Sequence, residues 1–326
     1  MRWSPGEAVF FVYGILLIFT EFQPPPPVLQ VQKCSSQERA SHLLKMCSQE
    51  NLTNKSFGQQ MYVDFKHKVL ACFPPKSGCT TFKTLLLHYS DAYKSMKPKP
   101  RGYSVHNNTF LAKYRITNFQ DVNASTKEKI LDTFSKVIVV RNPLVRVFSS
   151  YREKLTSVRG QCAPYMTRLA PKIIKHIRGQ DVQCGNNVTF SEFMEYVAKR
   201  PIKDPHWEDL DEICQPCRIK YDHVLRLETG HSDVKFFVEE ILGENLPKNE
   251  EYVRKNSRGN FSEQKMIENH FERLFKDFEN VSQSDFEDVA KYYERSSRLF
   301  GYGSVLTGSG MLSSCRYDTD RAMDCC

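Results

Sequence analysis

The chain has 326 residues, of which 40% are hydrophobic and 26% charged. That composition excludes a disordered chain, a collagen and a polytopic membrane protein, and the length suffices for one large domain or two modest ones. Lys and Arg number 46 against 38 Asp and Glu, a net charge of +8. Residues 141–178 hold nine basic side chains and one acid, Glu153, and the remainder carries 37 charges of each sign. The excess is therefore local, which points to a localised anionic partner and away from nucleic acid.

Residues 1–7 read as a cytoplasmic tail and 8–22 as a signal-anchor segment. The run at 8–19 (AVFFVYGILLIF) is apolar over 12 residues and is followed by Glu21 and by prolines at 24–27. It is short for a span, where about 20 residues are usual, and equally fits a signal-peptide core. No small-x-small site precedes the prolines, which favours an uncleaved anchor suited to thin early-secretory membranes over secretion after cleavage. Seven Asn-x-Ser/Thr sequons, at Asn51, Asn54, Asn107, Asn123, Asn187, Asn260 and Asn280, support lumenal exposure of everything downstream. The 11 cysteines then lie in an oxidising compartment, where disulfides are expected and an odd number leaves one thiol over. Residues 23–60 are rich in Pro, Gln, Ser and Asn, have little apolar periodicity, and read as a stem that supplies reach.

From 61 to 302 short β-branched runs alternate with amphipathic stretches, the pattern of an α/β domain with helices flanking a parallel sheet. Residues 68–73 (KVLACF) read as a buried strand, followed by the loop Pro74, Pro75, Lys76, Ser77, Gly78, Cys79, Thr80, Thr81 and a helix through His88. Gly78 lets the backbone approach an anion, the helix start presents amide donors, Thr80 and Thr81 add hydroxyls, and Lys76 supplies a mobile charge. The segment departs from the Walker pattern GxxxxGK[ST], so ATP hydrolysis is disfavoured, and taken alone it also reads as a plain turn. Residues 136–140 (KVIVV) read as a second strand, followed by Arg141 and a helix opened by Pro143, with Leu144, Val147, Phe148 and Tyr151 on its apolar face. Arg141 at the strand end and Ser149 two turns into the helix could hold a second phosphate; alone, Arg141 also reads as a surface ion-pair partner.

Further along, Cys214 and Cys217 have a half-zinc or redox spacing, but no second pair stands at a suitable distance, so structural disulfides are favoured, to one another or to other cysteines. Cys79 reads as a packing or disulfide residue. The last helix is expected from Ser284 as N-cap with Glu287 three residues on, Phe286, Ala290, Tyr293 and Leu299 near one face, and Gly301 as its stop. Residues 303–326 read as a loose polar tail.

The two strand-loop-helix units together fit a ligand with phosphates at both ends, because parallel sheets bind ligands at the carboxyl ends of their strands. At this point the sequence resembles the Golgi carbohydrate sulfotransferases of the group that includes the HNK-1 and the chondroitin/dermatan 4-O-sulfotransferases. PKSGCT at 75–80 looks like that family's grip on the 5′-phosphosulfate of 3′-phosphoadenosine 5′-phosphosulfate, and RNPLVRVFSSY at 141–151 like its grip on the 3′-phosphate. His206-Trp207, Cys214-Gln215-Pro216-Cys217, Tyr221-Asp222, Glu228-Thr229 and Phe300-Gly301-Tyr302 look like its downstream blocks. Three positions depart from the pattern: Asn142 for a frequent Asp, Thr81-Phe82 for Asn-Trp, and Asp209-Leu210 where a Pro usually follows the His-Trp pair. The first two leave donor binding intact, and the third bears on the acceptor.

The resemblance implies a P-loop-like sulfotransferase fold over 61–302 and in-line sulfuryl transfer, in which positioning and electrostatics dominate. Donor contacts are implied at Pro75, Lys76, Ser77, Gly78, Cys79, Thr80, Thr81, Arg141 and Ser149. Lys76 is expected to stabilise the leaving phosphate oxygen, and with that lysine and the cradle in place no metal is needed. His206 is the leading general base, with His88 and His106 as runners-up. The basic run Arg152, Arg159, Arg168, Lys172, Lys175 and Arg178 either guides a polyanionic glycan such as chondroitin or is a solvated helical face.

Overall fold

Two continuous apolar runs fix the centre of the fold, because a strand buried on both faces has no polar side to show. In the computed structural model they form β2 (Val69–Cys72) and β4 (Ser135–Val140), paired in parallel. β4 also pairs in parallel with β5 (His223–Arg226). On the other side of β2 lie β1 (Met61–Asp64) and β3 (Ile116–Asn118), both antiparallel, giving the order β3-β1-β2-β4-β5. The sheet is thus mixed where a parallel one is expected. The reason is local: only four residues connect β1 to β2, too few for a crossover, so the pair closes as a hairpin.

The structure describes residues 34–50, 57–91, 104–156, 168–183, 187–199, 203–246, 278 and 280–302. The apolar run at 8–19, the sequons Asn51, Asn54 and Asn260, and the tail at 303–326 lie outside them. No helix among the described residues is long and apolar enough to cross a membrane.

Helices cover both faces of the sheet. In chain order they are α1 (Ser36–Cys47), α2 (Cys79–His88), α3 (Asn108–Ala112), α4 (Ala124–Thr133), α5 (Pro143–Lys154), α6 (Ala170–Arg178), α7 (Phe190–Lys199), α8 (Leu210–Cys214), α9 (Gly230–Phe236) and α10 (Gln283–Leu299). Alternation along the strands sorts the core. Val69, Ala71, Val137 and Val139 pack with Phe82, Leu85 and Leu86 of α2 and Val234 of α9. Leu70, Cys72, Ile138 and Val140 face the other way, onto Leu43 of α1, Ile130 of α4 and Ile213 of α8. A third cluster draws mainly on α5, α6, α7 and α10, with Trp207 from the segment before α8.

Two local readings change. Residues 36–47 lie in the stretch read as a stem, yet they form a helix with a complete capping box between Ser35 and Glu38, and they bury Ala40 and Leu43 in the core. The last helix starts earlier than expected, because Ser282 is its N-cap and accepts from the Asp285 amide at 3.1 Å. The Ser284–Glu287 pair falls inside its first turns. The expectation of structural disulfides holds, with other cysteines as partners: Cys214 bonds to Cys72 on β2 and Cys217 to Cys47 at the end of α1. Cys79 is a buried thiol without a disulfide.

Candidate active site at the carboxyl edge of the sheet

Because β2, β4 and β5 are parallel, the segments after them emerge at one edge of the sheet. After β2 the chain turns through buried Pro74 and Pro75, with the Ser77 amide donating to the Pro74 carbonyl at 3.2 Å. Lys76 has φ +70°, a left-handed conformation that costs a non-glycine residue about 1–3 kcal/mol and is concentrated at functional sites. Gly78 follows at φ +87°, where a Cβ would come within 3.0 Å of Leu227 Cδ1 and 3.5 Å of Phe82 Cε2, so only glycine fits. It opens α2 without a side-chain cap, leaving first-turn amides to an incoming anion. Ser77 Oγ is fully buried with no hydrogen-bond partner, an orphan that an acceptor oxygen would satisfy. Phe82, standing where the family often has Trp, stacks on Phe73 beneath the loop.

After β4, Arg141 reaches across and donates from Nη1 to the Lys76 carbonyl at 3.1 Å. Burial works against its charge and the nearby Glu228 carboxylate supports it. Asn142 caps α5, accepting from the Leu144 and Val145 amides at 3.1 and 3.2 Å, which shows why Asn can serve where Asp is frequent. Ser149 is half-buried on α5, and no hydrogen bond of its hydroxyl is seen among the described residues. Its neighbour Ser150 is the engaged hydroxyl, donating to the His206 carbonyl at 2.7 Å.

α5 also organises the histidine segment. Arg146, fully buried, donates to the carbonyls of Pro205 and His206 at 3.2 Å each and to that of Glu208. Tyr293 donates to the Trp207 carbonyl. One turn beyond Ser149, Glu153 pairs with Lys76 and, at 3.1 Å, with Lys154. Burial alone would raise the Glu153 carboxyl, but the two lysines hold it down to about 2. Lys76 itself is lowered, burial outweighing the support of Glu153.

His206 Nδ1 lies 2.6 Å from Asp204 Oδ1, the same oxygen that accepts from its amide at 2.9 Å. Burial lowers its pKa, Asp204 opposes that, and the charges of Lys154 and Lys76 add to the lowering. The histidine is therefore close enough to the cradle to feel the lysine. His106 also borders it, with Nε2 3.1 Å from Thr80 Oγ1. His88 does not: it ends α2, about 15 Å along the axis from Gly78 at 1.5 Å per residue. Thr81 lies half-buried in the first turn of α2.

Sequence reasoning missed three contributors. Arg146 was visible as a charge inside an apolar run (LVRVF), Glu153 as the lone acid among basic residues, and Asp204 as a carboxylate two residues before the histidine. Asp209, at the third departure from the family pattern, is the buried N-cap of α8; it accepts from Ser296 Oγ at 2.7 Å, and burial pushes its carboxyl up to about 6. Of the basic run, Arg178 is committed to Glu192 and Lys175 to Asp181, whereas Arg152, Arg168 and Lys172 are exposed. Arg159 lies outside the described residues.

If His206 is a base, its neutral form is the active one, so activity falls as pH drops through its pKa. Because that pKa is lowered, the acid limb of kcat/KM is expected below the ordinary histidine value near 6.5, and Asp204→Asn should move it lower still. His206→Ala should lose kcat about 10²–10⁴-fold and abolish the limb. A full-activity variant with an unchanged profile would remove His206 from the role.

The fold and this edge define an α/β domain with two candidate anion sites at adjacent strand ends. The chain belongs to the Sulfotransferase family, whose model matches residues 59–303. Among similar proteins are carbohydrate sulfotransferase 9 of Homo sapiens, 31% identical over 192 residues, 56% of this chain and 41% of that protein. Carbohydrate sulfotransferase 10 of Xenopus laevis is 26% identical over 286 residues, 81% of this chain and 75% of that protein. Carbohydrate sulfotransferase 14 of Danio rerio is 26% identical over 277 residues, 72% and 71% of the two chains. No solved structure matches the chain.

Proposed function

We propose that the protein transfers a sulfuryl group from 3′-phosphoadenosine 5′-phosphosulfate to a glycan hydroxyl, position 4 of N-acetylgalactosamine in chondroitin being the first choice. The observation that carries the reading is the pairing of Lys76 and Arg141 at the ends of adjacent parallel strands, joined by the bond from the Arg141 guanidinium to the Lys76 carbonyl. The relatives' names, all carbohydrate sulfotransferases, support a glycan acceptor.

The residues present fit the donor: Ser77 Oγ, Gly78 and the start of α2 suit one phosphate end, and Arg141 with Ser149 the other. When bound, the donor supplies the sulfuryl group and a phosphate as its leaving group. Lys76 places its ammonium where negative charge grows on that leaving oxygen, and Pro75, Cys79, Thr80 and Thr81 shape the cradle around it. Glu153 holds the ammonium in the meantime. His206, oriented through Nδ1 by Asp204, takes the acceptor proton at Nε2.

A lumenal, single-pass type II Golgi location goes with the reading. The Cys47–Cys217 and Cys72–Cys214 disulfides suit an oxidising compartment, and the sequons Asn107, Asn123, Asn187 and Asn280 are all exposed. Arg152, Arg168 and Lys172 supply positive charge for a polyanionic acceptor.

The test is incubation of the purified protein with labelled donor and a panel of desulfated chondroitin, desulfated dermatan, glucuronic acid-terminated glycans and N-glycans ending in N-acetylgalactosamine. Label at position 4 of chondroitin N-acetylgalactosamine is expected. Label elsewhere reassigns the acceptor. Nucleotide binding without transfer to any of them marks an inactive glycan-binding protein.

A further inference from the structure

The turn after β5, residues 226–229, touches both halves of the candidate site. Leu227 lies against Gly78 of the cradle. Glu228 Oε1 accepts from the Asn142 amide at 2.7 Å, beside Arg141, and its Oε2 accepts from the Tyr302 hydroxyl at 3.1 Å. Whatever fixes this turn therefore bears on the spacing of the two candidate anion sites, beside the strand pairing and the Arg141–Lys76 bond.

What fixes it is Asp233. Its Oδ2 accepts from the Arg226 amide at 2.6 Å and from Thr229 Oγ1 at 2.8 Å, clasping the turn from both ends. Asp233 is buried, so its charge needs a partner, and that partner comes from α1. Arg39, only 4% exposed, donates from Nη2 to both carboxylate oxygens at 2.8 and 2.9 Å, and from Nη1 to Thr229 Oγ1 at 3.2 Å, so its two guanidinium arms span the aspartate and the turn. α1 is held for this task by the Cys47–Cys217 disulfide, by Leu43 in the core, and by Ser36 Oγ, 3.3 Å from His223 Nδ1 on β5. It lies wholly upstream of residues 59–303, the span that matches the family.

We infer that Arg39 is a positioning residue for donor binding: through Asp233 it sets the 226–229 turn, and through that turn the spacing of the Lys76 and Arg141 sites. The segment that reads as a spacer in the sequence is then part of the nucleotide site's scaffold. The inference rests on the donor site proposed above and deepens it.

Calorimetric binding of 3′-phosphoadenosine 5′-phosphate to the full chain, with steady-state kinetics, tests it. Arg39→Ala should weaken nucleotide binding and raise the donor KM about tenfold, the acceptor KM staying within about twofold, because the displacement falls on the nucleotide cradle. Arg39→Lys keeps the charge and loses the fork, so it should fall between the two; it also decides the matter should the alanine variant fail to fold. A merely structural role predicts a lower melting temperature with unchanged nucleotide affinity in the folded fraction, and that result overturns the inference. Wild-type protein that binds no such nucleotide overturns the donor-site reading itself, and this inference with it.

Discussion

Lys76→Ala is expected to lower kcat by about 10²–10³-fold, the loss seen when one preorganised donor to a developing anion is removed. The expectation follows from where the side chain ends. Its ammonium is mostly shielded from solvent, it sits on the loop whose serine hydroxyl is orphaned, and among the described residues the carboxylate that holds it belongs to the half-exposed Glu153. A pair with one partner in solvent contributes little to folding, of order 1 kcal/mol or less, so the variant should melt close to wild type. Alanine also keeps the same strained left-handed φ, so the loop neither gains nor loses that cost. Single-turnover transfer, compared at equal folded fraction, reads the effect. A variant that transfers sulfate at the wild-type rate would take Lys76 out of the chemistry.

The second large effect is structural in origin and catalytic in consequence. Arg146 is fully buried, and its guanidinium serves the carbonyls of Pro205, His206 and Glu208. Methionine at this position fills a similar volume but leaves the part-buried carbonyls of Pro205 and Glu208 without that donor, at about 1–3 kcal/mol each, while the His206 carbonyl keeps Ser150 Oγ. Arg146→Met should therefore lose about 2 kcal/mol or more in denaturant unfolding, and the surviving folded protein should show the same loss of the acid limb as His206→Ala. If Arg146→Met unfolds like wild type, Ser150 and Tyr293 suffice to hold the histidine segment, and the weight given to Arg146 is misplaced.

How much of this was legible in the sequence depends on the range of the forces involved. The two central strands and the helices after them were readable because a buried parallel strand writes itself as a continuous apolar run, and a helix as a period of 3.6. β1 and β3, four and three residues long, carry too little pattern to announce their antiparallel pairing. α1 was missed because its buried apolar face is only Ala40 and Leu43, although Ser35 and Glu38 do spell a capping box. The cap of α10 shows the opposite failing: Ser282 with Asp285 and Ser284 with Glu287 are equivalent signals two residues apart, and only tertiary packing chooses.

At the site, the residues of the cradle and Arg141 could be picked out from their strand-loop-helix context. The cross-links could not. Lys76 and Glu153 are 77 residues apart, Arg39 and Asp233 are 194 apart, and Cys72 bonds to Cys214 across 142. Nothing local encodes such pairings. The Ser149–Ser150 distinction is finer still: one residue is about 100° of helix, enough to turn one hydroxyl onto the His206 carbonyl and leave the other facing away from it.

The proposed transfer depends most on a single nucleotide spanning both strand ends, with Arg141 reading its 3′-phosphate. The direct measurement is a thermodynamic cycle: affinities of wild type and Arg141→Ala for 3′-phosphoadenosine 5′-phosphate and for adenosine 5′-phosphate, which lacks the 3′ group. Wild type should favour the doubly phosphorylated nucleotide by about 10- to 100-fold, in keeping with a charge-assisted hydrogen bond, and Arg141→Ala should hardly distinguish the two. If Arg141→Ala discriminates between them as strongly as wild type does, the arginine does not face the 3′-phosphate and the two-site reading is contradicted.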